Sequence, residues 1–250
     1  MRGLKKNQGA VLEARDKFHI THNMLIVIDG IDGSGKSTQT NILVKRLKAA
    51  KYPVETLNFP QYHQFFGRMV KKFLNGEFGK IDAVDPHLAS VLYAFDRWQA
   101  RNKINHWLKE NKIVILNRYA TSNVIHQTIK IKEKKQRQFI NWLNKMEYEI
   151  LKLPKPDLVL YLYLPYKLSY ALITKRDNKK DIHEADLDHL KTAAAQGLKL
   201  AKSQQNWRLI RCNDGEKILS KEEIAEKIWK IISSNVKLQI SNAKSNPNVK

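Results

Sequence analysis

Short, continuous apolar runs alternate along this chain with longer stretches whose apolar residues recur every three or four positions. Met24-Leu25-Ile26-Val27-Ile28 is apolar at five successive positions. Such a run, rich in β-branched side chains, predicts a strand buried on both faces. Comparable runs place strands near 24–29, 53–58, 112–117, 157–163 and 207–211. Helical spacing places helices near 37–50, 64–75, 86–110, 119–131, 134–152, 166–176, 186–204 and 220–234. Five strands joined by helical crossovers predict an α/β fold: a parallel, doubly wound sheet between two helical layers, with ligands at the carboxyl ends of the strands. Residues 23–234 form the expected domain. The polar segment 1–22 and the Asn/Ser/Lys-rich segment 235–250 are expected to be an N-terminal extension and a mobile C-terminal tail.

The first strand leads into Gly30-Ile31-Asp32-Gly33-Ser34-Gly35-Lys36-Ser37, followed by Thr38 and a helical run with Ile42, Leu43 and Leu47 on one side. This is the G-x-x-x-x-G-K-[ST] phosphate loop in its required strand–loop–helix context. The glycines let successive backbone N–H groups turn inward on a polyphosphate, and the helix that follows adds the positive end of its dipole. Lys36 can reach the β- and γ-phosphates, and the Ser37 hydroxyl can ligate Mg²⁺. Residues 30–38 are therefore expected to bind ATP.

A phosphate acceptor must be sought elsewhere in the chain. In the helix expected over 86–110, Leu88, Val91, Leu92, Phe95 and Trp98 form one apolar stripe. Tyr93 and Arg97, four residues apart, share the opposite face beside Asp96. They can hold a flat base and a phosphate, or simply stack on each other at the surface. Ile113-Val114-Ile115-Leu116 runs into Asn117-Arg118-Tyr119, which puts Arg118 at a strand's carboxyl end, the edge that also carries the phosphate loop. Lys175-Arg176-Asp177-Asn178-Lys179-Lys180 reads either as a solvated turn or as a lid, near 175–185, that closes on ATP.

Composition narrows the setting. The 250 residues include one cysteine, Cys212, so no intrachain disulfide forms and a reducing cytoplasm is expected. No apolar run approaches the roughly 20 residues a membrane helix needs, and residues 1–23 lack the apolar centre of a secretion signal. The net charge is +21, a field that attracts phosphates of any kind. The excess is lysine scattered along the chain rather than arginine clustered with aromatics, which argues against a nucleic-acid face.

In this order the motifs resemble the thymidylate kinases, P-loop kinases that pass the γ-phosphate of ATP to dTMP. The likeness rests on Asp29 to Gln39; on Phe59-Pro60-Gln61-Tyr62 against F-P-x-Y; and on Tyr93-Ala-Phe-Asp-Arg97 against Y/F-A-x-D-R. It continues with Asn117-Arg118-Tyr119 and Ser122-Asn123 against D-R-Y-x-x-S-N, with Pro156-Asp157-Leu158-Val159, and with the lid-like 175–184. The resemblance implies that Tyr93 stacks on thymine and that Arg97 meets the base edge or the dTMP phosphate. It implies that Arg118 bridges donor and acceptor phosphates and that Asp32 faces the 3′-hydroxyl. Asn123 and Gln127 are implied near the base, Phe59, Pro60 and Tyr62 around the monophosphate, Arg176 on the lid, and a homodimer packed through helices. Mg²⁺ is implied at Ser37 and, through water, at Asn117.

Four features depart from the family pattern. Asn117 replaces an aspartate, so it brings no charge to the metal. Gln61 replaces an arginine, the lid lysines replace arginines, and His126 replaces a tyrosine. Competing readings are a kinase for another nucleoside monophosphate or a deoxynucleoside, a nucleic-acid-associated NTPase, and a kinase made inactive by Asn117. A nucleoside kinase wants a carboxylate after the second strand, where Asn58-Phe59-Pro60 stands.

Overall fold

The computed structural model describes residues 23–80, 83–175, 182, 184 and 186–244, with side chains described as far as 234. The five expected strands are present: β1 (Met24–Asp29), β2 (Val54–Asn58), β3 (Ile113–Asn117), β4 (Leu158–Tyr163) and β5 (Trp207–Arg211). They form one parallel sheet in the order β2-β3-β1-β4-β5. Every residue of β1 and β3 is buried, as continuous apolar runs require when both faces of a sheet are covered. Alternate side chains feed two cores. Leu25, Val27, Val114, Leu116, Val159 and Tyr161 point to one, and Ile26, Ile28, Ile113, Ile115, Leu158 and Leu160 to the other.

The helices among the described residues are α1 (Lys36–Ala49), α2 (Phe65–Leu74), α3 (Pro86–Gln99), α4 (Arg101–Lys109), α5 (Ala120–His126), α6 (Glu133–Asn144), α7 (Tyr166–Thr174), α8 (Leu187–Ser203) and α9 (Lys221–Lys244). Several bounds differ from expectation. The single helix expected over 86–110 is divided at Ala100, into α3 and α4. The helix expected over 119–131 is α5 followed by a 3₁₀ turn at Thr128–Lys130. The one expected over 134–152 ends in a π-helical turn, Lys145–Ile150. α9 runs to Lys244, so the first ten residues of the expected tail continue a helix. A two-stranded hairpin, β6 (Asn213–Asp214) with β7 (Lys217–Ile218), was not foreseen. Strands of two residues carry no periodicity to read.

The strand order places the site. From β1 the chain crosses to β2 on one side, and from β3 it crosses back over β1 to β4 on the other. The crevice between the carboxyl ends of β1 and β3 is thus the topological switch point. Ile28 pairs with Asn117 across it, and the Arg118 N–H donates to the Ile28 carbonyl at 3.0 Å.

Candidate active site

The phosphate loop opens directly from β1. Gly33 and Gly35 have φ of 80° and 87°, left-handed values that glycine adopts freely. A Cβ on Gly33 would lie 2.8 Å from the Ser169 carbonyl, whereas nothing stands within 4 Å in front of Gly35. α1 starts at Lys36 with no capping side chain and no acid in its first turn. Its N–H groups and dipole are therefore available to an anion. Lys36 is buried, and its Nζ donates to the Ile31 carbonyl at 2.8 Å and lies 3.6 Å from Asp32. Burial and the nearby Arg118 guanidinium lower its pKa to about 8.

Arg118 leaves the end of β3 with φ of 63°, a conformation that costs a non-glycine residue about 1–2 kcal/mol. The turn aims the side chain back over the phosphate loop, where its guanidinium pairs with Asp32 and lies 3.9 Å from Asp29. Burial pushes the Asp32 carboxyl up, but Arg118 and Lys36 together hold it well below the usual carboxylate range. Asp29 is fully buried. It accepts from Thr121 at 2.6 Å, from Ser122 at 2.8 Å and from the Gly30 N–H at 2.8 Å, which ties β1, the loop and α5 together.

Asn117 meets Ser37 directly: its amide Nδ2 donates to the Ser37 Oγ at 3.0 Å. Its Oδ1 is buried and has no hydrogen-bond partner among the described residues. A buried oxygen without a donor, beside a hydroxyl at the head of the phosphate loop, fits a site that takes a hydrated cation.

All nine residues implied for dTMP line one cleft beside the loop: Asp32, Phe59, Pro60, Tyr62, Tyr93, Arg97, Arg118, Asn123 and Gln127. The orientation of α3 overturns the surface reading of the Tyr93/Arg97 pair. Ala89, Ser90, Ala94, Asp96 and Arg97 are buried, whereas Leu88 is 66% and Trp98 40% exposed. The polar-looking face is the inner one. Arg97 donates to both oxygens of Glu147, a buried acid on the π-helical turn, through Nε at 3.0 Å and through Nη2. Glu147 also accepts from the Asn123 Nδ2 at 2.8 Å. Burial opposes the Arg97 charge, but Glu147 more than restores it and raises its pKa.

Asp96 holds the 59–61 turn, accepting the Gln61 N–H at 3.1 Å. The Gln61 side chain is buried and lies 3.4 Å from the Asp96 carbonyl, so it packs behind the cleft wall. Leu74, Ser122 and His126 complete the lining. Glu147 and Leu74 were missed. Neither sits in a motif, and nothing in Lys-Met-Glu-Tyr-Glu-Ile tells that the first of its two acids is buried. Arg176, Lys179, Lys180 and Asp181 lie outside the described residues.

Comparison with known proteins gives this arrangement its place. A family model described as thymidylate kinase matches residues 28–228. The chain belongs to the thymidylate kinase family. It is 35% identical to the thymidylate kinase of Mycobacterium tuberculosis over 135 residues, 54% of this chain and 63% of that one. It is 32% identical over 213 residues to a probable thymidylate kinase of Saccharolobus solfataricus, covering 85% of this chain and 98% of that one. The matches to the mycobacterial and human proteins span less than two thirds of their lengths, 63% and 60%. A solved thymidylate kinase from Candida albicans superposes with a TM-score of 0.68 at 23% identity, covering 86% of this chain and 92% of that one, a likeness of fold. Against the thymidylate kinase pattern, Asn117 and Gln61 differ in consequence. Asn117 stays at the phosphate loop, whereas Gln61 is withdrawn from the cleft.

Proposed function

We propose that this protein is a thymidylate kinase that transfers the γ-phosphate of ATP to dTMP, giving ADP and dTDP. The observation that carries the reading is the single cleft in which the phosphate loop and Arg118 open onto the Tyr93/Arg97 face of α3. A phosphate oxygen of dTMP attacks the γ-phosphorus, and the bond from that phosphorus to the β–γ bridging oxygen breaks as ADP leaves. A phosphate monoester is largely ionised near neutral pH, its second pKa being about 6, so no strong general base is needed. The residues' work is to bring two anions together. Lys36 and Arg118 neutralise the transferred group, and the α1 N-terminus holds the donor phosphates. Arg176, on sequence grounds, is a lid cation. Tyr93 offers a ring for the base, and Arg97, Asn123 and Gln127 offer polar groups for its edge. Ser37 and Asn117 would hold Mg²⁺, which when bound neutralises charge on the β- and γ-phosphates.

The partner is a second copy of the chain. On the outward side of α3, Leu88 and Trp98 are exposed, and α2 exposes Phe65 at 57%. Phe66 stacks on Phe95 at 5.1 Å between them. Apolar surface of this kind is covered when two copies pack together. A cytoplasmic setting fits the lone, buried Cys212. No helix among the described residues is long and apolar enough to cross a membrane.

The test is steady-state kinetics with ATP and dTMP. Lys36→Ala should abolish transfer with the melting temperature unchanged within a few degrees. Undiminished turnover in that variant would remove the kinase reading.

A further inference from the structure

Arg118 is held at two points. One nitrogen of its guanidinium pairs with Asp32, and the other, Nη1, lies 3.1 Å from the Nε2 of His126. His126 Nδ1 lies in turn 3.2 Å from the Nε2 of His189, on the first turn of α8, with the two rings 15° from parallel. Both imidazoles are buried. The chemistry of these contacts fixes the protons. A guanidinium can only donate, so His126 Nε2 must accept. His126 is then the Nδ1–H tautomer, and its Nδ1–H donates to His189 Nε2. The line runs Arg118 to His126 to His189 in one direction.

Taking the protein to be the kinase proposed above, we infer that His189 is a positioning residue that acts through His126 to hold Arg118 over the phosphate loop. His189 fixes the His126 tautomer, and that tautomer gives Arg118 a neutral acceptor. A neutral acceptor at 3.1 Å adds no negative charge to that of Asp32 and of Asp29, which lies 3.9 Å from the same nitrogen, so it leaves more of the guanidinium charge for the transferred phosphate than a further carboxylate would. Burial lowers the His189 pKa to about 4, with Lys130 and Arg118 acting in the same direction against Asp186 and Asp32. The ring therefore accepts throughout the neutral range. Its own backbone N–H is held by the Asp186 side chain at 2.9 Å, which fixes the ring's position at the start of α8. Residues 126 and 189 are 63 apart, and the second lies in no motif. The line was therefore not readable from spacing.

The experiment has two arms. In the first, the full chain labelled with ¹⁵N-histidine is examined by NMR near pH 7.5. His126 should carry its proton on Nδ1, and His189→Phe, which keeps a ring but removes the acceptor, should weaken that preference to what Arg118 alone imposes through Nε2. A His126 Nε2–H tautomer in the unaltered protein would overturn the relay, and this arm needs no variant to fold. In the second arm, His189→Phe should lower kcat for dTMP phosphorylation about tenfold, short of the 10²-fold that a 1 Å misplacement near the chemistry can cost. The KM for ATP should stay within about twofold. His189→Gln, which can place an amide oxygen where Nε2 stood, should recover most of the loss. Equal kcat for the Phe and Gln variants would mean that position 189 only packs, and would overturn the role. Unaltered protein inactive on dTMP would remove the kinase reading and the role together while leaving the tautomer as inferred. An Nε2–H signal removes the relay alone.

Discussion

Lys36 illustrates how a single residue's surroundings set its behaviour. Burial and Arg118 bring its pKa to about 8 before any nucleotide is bound. Phosphates bring negative charge and favour the protonated form. Binding of ATP near pH 8 should therefore take up protons, seen as buffer-dependent heats in calorimetry. Because the charged form binds, affinity should fall as pH rises through 8, and Lys36→Arg should flatten that limb. Arg97 sets a different constraint. It and Glu147 are 3% and 2% exposed at the side chain. Removing one partner of such a buried pair costs about 3–5 kcal/mol. Arg97→Ala should therefore lower stability in urea as well as raise the KM for dTMP. Replacing both with Met should recover stability without restoring dTMP affinity. Recovery of both would show that the pair has no part in binding. At this scale the phosphate loop, Arg118 and the Tyr93/Arg97 pair were legible because each sits in a local pattern. Glu147 and His189 were not, since their partners lie 50 and 63 residues away.

At the scale of elements, α3 shows where periodicity misleads. Of its apolar stripe, Leu88 and Trp98 face outward while Val91 and Leu92 pack on neighbouring clusters, and its fully buried positions are Ala89, Ser90, Ala94, Asp96 and Arg97. A stripe of large apolar side chains marks a surface that wants covering, but it does not say whether the cover is the core or a second chain. Leu88→Glu with Trp98→Glu should shift the protein to monomer in sedimentation while sparing the melting transition of each chain. An unaltered sedimentation coefficient would place the contact elsewhere. In α2, Gly67 should resist substitution. Alanine is favoured over glycine in a helix by about 1 kcal/mol, yet a Cβ there would lie 1.9 Å from the Gln61 carbonyl. The clash should win. Gly67→Ala is expected to destabilise the protein and to raise the KM for dTMP by displacing the 59–61 turn, both read from one preparation. The strands were placed within a residue: β1, β3 and β4 are apolar runs buried on both faces, and the partly buried edge strands β2 and β5 stand as short runs between helical stretches. Helix ends were less legible, because Ala100 and the 145–150 turn interrupt helices without glycine or proline to mark the break.

For the whole molecule, the strand order fixes which loops can share a site, and it brings the ends of β1 and β3 together at the phosphate loop. The net charge of +21 then acts over the entire surface. Both proposed substrates are anions, so association should slow as salt is raised. The central claim is that this cleft receives dTMP as the acceptor. A coupled assay of ADP release, run with ATP and Mg²⁺ across dTMP, dUMP, AMP, CMP and GMP, tests it most directly. The expected result is highest kcat/KM with dTMP, well above AMP, CMP and GMP, and no release in Lys36→Ala. AMP or GMP as the preferred acceptor, or no acceptor-dependent release at all, would contradict it.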